Sequence, residues 1–216
     1  MTTAPSITMT EPSEPPPPLS IEPLASPQEK KDALRLIADS VAQQRQTASR
    51  ALIFHPVPLS VLTACLAAAH FNSNDISTML IIFPGIILTY LVAVRYFTSA
   101  YIRIAEETKW MEWLKDDIVI GARFGEDIIG AVVMRLEKKA VIRGWTTKTR
   151  YRGRGLGGDM LSESVKIAKA KLGRNCAVEF AEDHANSQMP LYTMFNGPFL
   201  AREAKAKKAL GAALKD

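Results

Sequence analysis

The residues best placed to do chemistry lie in one run, Tyr151-Arg152-Gly153-Arg154-Gly155-Leu156-Gly157-Gly158, followed by Asp159-Met160-Leu161. Glycine at this density lets the backbone come close to a ligand, and a helix starting just behind it turns several amides and the positive end of a dipole toward one point. That arrangement cradles phosphate, and Arg152 and Arg154 add charge of the matching sign. The flanks agree: residues 140–147 read as a strand, and residues 157–172 read as a helix with Met160, Leu161, Val165 and Ala168 on one face. A bare turn with solvated arginines would need no such flanks. The spacing excludes two common nucleotide fingerprints. A Walker loop would have Lys then Ser or Thr where Gly158 and Asp159 stand, and a dinucleotide loop would want an acidic residue closing a second strand about 20 residues on.

Other reactive residue types are sparse. Cys65 and Cys176 give no disulfide framework, which suits a reducing compartment. His184 stands beside Glu182 and Asp183 without a second histidine or a ligand-spaced cysteine, so it reads as a surface-loop histidine and no metal is expected. The net charge of +5 is dispersed and no recognition motif accompanies it, which argues against nucleic acid and leaves a mild preference for an anionic surface.

The elements that must position the glycine loop follow from periodicity. Residues 118–124 and 128–136, joined by Gly125-Glu126-Asp127, read as a strand hairpin; residues 140–147 add a third strand, and residues 176–180 a further one after the helix. An α/β domain with its opening at the loop results. In this order of elements, and in Arg152, Gly155 and Gly157, the chain resembles the GNAT-type N-acetyltransferases, whose acetyl-CoA loop has Arg or Gln, two residues, Gly, one residue, then Gly or Ala. The resemblance covers residues 118–199. It implies a mixed, mostly antiparallel sheet flanked by helices, acetyl-CoA as acyl donor, and an amine acceptor, small molecule or protein.

The same resemblance implies roles for individual residues. Arg152, Gly153, Arg154, Gly155, Leu156 and Gly157 would hold the diphosphate, and the strand segment with Trp145 and Thr147 would give an amide to the thioester carbonyl. Residues 186–192 would form a helix carrying Tyr192, the proton donor to the leaving thiolate, and Asn186, a contact to the CoA arm. A carboxylate acting through water would deprotonate the amine, with Glu137, Glu179 and Asp183 candidates by location only. Residues 201–216 read as a helix where the family places its last two strands. A catalytically inactive GNAT-fold protein that binds acyl-CoA or serves as a membrane interaction module is the alternative, and a membrane scaffold binding no nucleotide is a second.

The amino-terminal half has a different character. Residues 1–25 hold more than half of the 13 prolines and few large apolar side chains, and read as a disordered tail. Ser26-Pro27-Gln28-Glu29 carries the signature of a helix start, and Leu34, Ile37 and Val41 recur at helical spacing, giving an amphipathic helix over residues 26–50. Residues 51–71 and 76–97 are almost continuously apolar, each long enough at about 1.5 Å per residue to cross a bilayer core of about 30 Å. They predict an inserted two-helix transmembrane hairpin over residues 51–97, ahead of a GNAT-like domain at residues 98–216. Pro84-Gly85 predicts a kink in the second helix. Lys and Arg flank the hairpin on its outer sides and are absent from its connection, which places both termini in the cytosol. The layout is similar to that of the membrane-anchored camello-like acetyltransferases, and implies an endoplasmic-reticulum or other endomembrane enzyme.

Overall fold

A computed structural model of the chain describes residues 18–73 and 75–215. Most of the expected tail lies outside the described residues, but its last part is not a tail. Leu19–Pro23 forms strand β1, antiparallel to the strand that begins at Ile118. Ile21 packs on one side of the sheet and Leu24, just past the strand, is buried on the other. Proline is tolerated here because an edge strand needs only one ladder of hydrogen bonds.

Helix α1 runs over Pro27–Ile53 and buries Ala33, Leu34, Ile37, Val41, Ala48 and Leu52 along one stripe. Ser26 makes no side-chain cap bond; Glu29 instead pairs with Arg123 at 2.6 Å, tying the helix start to the sheet. After a 56° bend the chain continues as α2, Pro56–Asn72, and returns as α3, Ile76–Thr98. Short helices α4, Ala100–Glu107, and α5, Trp110–Leu114, lead into the sheet.

The apolar helices α2 and α3 pack on each other and cover little else. Among the described residues α2 buries none of its side chains, and α3 buries only Val94 and Thr98. Leu80 and Ile81 are 71% and 76% exposed, part of an apolar surface that no described residue covers. The helical stretch Ile76–Glu107, α3 with α4, is long and apolar enough to cross a membrane, and the bent pair of α1 and α2 passes the same test together. Pro84 lies inside α3, which continues through it.

Strands β2, Ile118–Phe124, β3, Asp127–Leu136, and β4, Ala140–Thr147, form an antiparallel meander; β5, Val178–Phe180, joins β4 in parallel, giving the order β1-β2-β3-β4-β5. Helix α6, Leu156–Leu172, makes the crossover, and α7, Gly197–Ala213, closes the described chain. The fold is mixed α/β, as expected. Val119, Ala131 and Val133 point toward α1 and α5, while Ile120, Val132 and Met134 point toward α6 and α7, so alternation along the strands builds two cores.

A bulge breaks the regularity where it matters. Met134 pairs with Ile142 and Val133 with Gly144, leaving Arg143 as an extra residue on β4. A bulge bends its strand and increases local twist. The pairing of β4 with β5 ends at the next opportunity, at Ile142 and Phe180, while β4 runs on to Thr147.

Candidate active site in the gap between β4 and β5

Beyond Ile142 the two strands part around a cavity of about 600 Å³. Its walls are the end of β4, the segment after β5 with His184 and Asn186, the middle of α1, and the first turns of α7 with Phe199, Arg202 and Glu203. The bulge is held open by a buried buckle. Arg143 donates to the Trp113 carbonyl at 2.8 Å, stacks on the Trp113 ring at 4.2 Å and pairs with Asp117, which also takes Arg135 at 2.9 Å. The Arg143 carbonyl accepts from Ala185 N–H at 2.7 Å, which fixes where the far wall begins.

Strand alternation aims the free edge of β4 into this gap. Lys148 N–H donates to Ile129 of β3 at 2.7 Å, so the amides of Thr147 and Trp145 face the other way, toward the cavity. The Thr147 carbonyl points there too, accepting from Arg152 Nε at 3.0 Å. The Trp145 indole N–H is buried without an acceptor and its ring lies under the glycine loop, where a Cβ on Gly157 would come within 3.0 Å of it.

The loop has the character its composition predicts. Gly155 caps α6 with φ +88°, a left-handed conformation that side chains with a Cβ avoid. Among the described residues no carbonyl or side chain accepts from the amides of Gly153, Arg154, Gly155, Leu156 or Gly157. Five unpartnered amides at a helix N-terminus fit a diphosphate. The Arg152 guanidinium is anchored on Gln43 Oε1 at 2.8 Å as well as on Thr147. Burial, and then the nearby Arg202, push it below the usual arginine range.

Of the residues expected from sequence, Trp145, Thr147, Arg152 and Asn186 line the cavity, while residues 153–157 follow Arg152 directly in the chain and are not part of its lining. Tyr192 does not join them. The expected helix over residues 186–192 is absent; the segment is a run of turns and extended backbone, and Tyr192 is 78% exposed. Pro190 explains the difference, since it lacks an N–H and disfavours helical backbone at Met189. Glu137 and Glu179 sit in surface pairs with Arg135 and Lys139, and neither they nor Asp183 line the cavity.

His184, expected on the surface, is a partly buried cavity residue. Its Nδ1 accepts from Asn186 N–H at 3.2 Å, so the proton of the neutral ring sits on Nε2. Burial lowers its pKa, against the opposing pull of Glu203 and Asp183. Glu203 is itself held below the usual carboxylate range by a hydrogen bond from Lys207. Gln44, also unforeseen, donates to the Asn186 carbonyl at 3.0 Å. Periodicity in α7, with Phe199, Glu203 and Ala206 on one face, was the signal available for that wall.

A model of the acetyltransferase (GNAT) family matches residues 89–196, half of the chain. The chain belongs to the GNAT acetyltransferase family. No curated protein and no solved structure gives a significant match. The match to the GNAT family begins inside α3 and stops before α7, so two walls of the cavity, α1 and α7, come from outside it.

Proposed function

We propose that this protein is a membrane-anchored N-acetyltransferase that moves an acetyl group from acetyl-CoA to an amine. The observation that carries this reading is the juncture of a strand gap with five unpartnered loop amides. The diphosphate would rest on residues 153–157 beside Arg152, and the acyl arm would enter between β4 and the segment after β5. The thioester carbonyl would then meet an amide of Trp145 or Thr147, a donor placed where negative charge develops as the amine attacks. Membrane attachment by α2 and α3 is supported by their exposed apolar surface, with the domain on the cytosolic face of an endomembrane, as in the camello-like layout.

The test uses full-length protein in detergent. Calorimetry should show CoA binding, and acetyl-CoA with a mixture of amines should release free thiol. Binding without amine-dependent thiol release would instead favour a catalytically silent acyl-CoA-binding protein. Two observations speak for that second reading: Tyr192 stands outside the cavity, and a helix takes the place of the last two strands. No CoA binding at all would end both.

A further inference from the structure

The charges around the cavity restrict the acceptor. Arg152 and Arg202 both line it, and neither has a carboxylate partner among the described residues. Glu203 is the one carboxylate in the lining and is already paired with Lys207 at 2.7 Å. The wall given by α1 is neutral: Ser40, Gln43, Gln44 and Thr47 offer hydroxyls and amides only. With acetyl-CoA bound, Arg152 is engaged by the diphosphate, and a lysine-like ammonium entering here would still lose water, find no free carboxylate and face the Arg202 guanidinium, which is unfavourable on both counts.

One group in that wall is ready to receive an uncharged N–H. Gln44 is 8% exposed, and while its Nε2 is fixed on the Asn186 carbonyl, its Oε1 is buried with no partner. A buried carbonyl of this kind is costly unless something donates to it. The Nε2 bond fixes the amide's orientation, and Asn186 is held in turn by Ser40 at 3.4 Å.

Resting on the N-acetyltransferase reading, we propose that the acceptor is a weakly basic amine, such as a peptide α-amino group, that arrives uncharged and donates to Gln44 Oε1, and not a lysine side chain. The step needs no protein base to strip an ammonium. The amine lone pair forms the C–N bond at the thioester carbonyl carbon. The carbonyl electron pair moves to oxygen and returns to break the C–S bond, and the sulfur leaves with that pair and takes up the proton the nitrogen loses. The products are an N-acetyl amide and the free thiol of CoA.

The experiment compares a glycyl peptide amide with Nα-acetyl-lysine amide as acceptors for the full-length protein, by thiol release, from pH 7 to 9. With amine pKa values of about 7.8 and about 10.4, the free-base fractions alone predict a kcat/KM advantage of about 400-fold for the glycyl peptide near neutral pH. The lysine derivative should gain about tenfold per pH unit over the same range. In Gln44→Glu the added carboxylate should narrow the gap at least tenfold, with circular dichroism reporting an intact fold although the bond from Nε2 to the Asn186 carbonyl is lost. Equal or better use of the lysine derivative at pH 7, or an unchanged ratio in Gln44→Glu that still binds CoA, would overturn the assignment and leave the enzyme reading standing. Absence of thiol release with every amine would overturn both.

Discussion

A histidine whose Nδ1 accepts a backbone N–H is neutral, and its remaining nitrogen is the donor Nε2–H. Burial favours that neutral form in His184. The folded state therefore binds a proton here less readily than the unfolded chain, whose histidine titrates near about 6.5. Stability is retained above that pH and lost as the pH falls through it, levelling out below the folded value. Denaturant unfolding from pH 8 to pH 5 should show this decline, and His184→Gln should flatten it. An equal slope in both proteins would place the titration elsewhere. At this scale the sequence was legible in part. The glycine loop announced itself because all its determinants are adjacent. Asn186 was marked only through the family resemblance, and Gln44 not at all, since the bond between them joins positions 142 residues apart.

Among the elements, the bulge in β4 explains why the sheet opens where it does, and its support is electrostatic. The side chains of Asp117 and Arg143 are 3% and 6% exposed, so neither can turn to water if its partner is lost. Asp117→Ala would strand a buried guanidinium at a cost of about 3–5 kcal/mol. The expected outcome is a large drop in the denaturant midpoint, with CoA affinity falling even where the protein remains folded. Unchanged stability would mean the buckle holds nothing. Strands β2 to β5, α6 and the C-terminal helix were readable from apolar periodicity, whereas the bulge went unread although the adjacent apolar pair Val141-Ile142 and the in-strand Gly144 were its local signals. β1 was hidden for a different reason: a proline-rich composition signals disorder locally, and only the free edge of β2 supplies the pairing that orders it. The missing helix before Tyr192 had a visible warning in Pro190.

For the molecule as a whole, the site is hung from the apolar pair. Val94 of α3 and Leu52 of α1 share a core with Leu191, Phe195 and Phe199, and the Phe195 ring lies 4.8 Å from that of His55 at the mouth of α2. Tyr192, Met194 and Leu200, close in sequence to Leu191, Phe195 and Phe199, are exposed. The cavity wall on α1 ends at Thr47, eight residues before His55, which is about 12 Å along a helix. An acceptor reaching this domain would therefore approach close to the bilayer surface if α2 and α3 lie within it. That condition can be tested at the middle of α3, where Ile87 and Leu88 are exposed. Lysine at the centre of a membrane helix costs about 2.5–3.5 kcal/mol per residue. Wild-type protein should stay with membranes through an alkaline carbonate wash, and the Ile87→Lys, Leu88→Lys double variant should lose most of that retention. Release of the intact wild-type chain by the wash would show that another protein, and not lipid, covers these helices. Retention of both proteins would show instead that α3 does not lie across the hydrocarbon core, and that the attachment is made elsewhere.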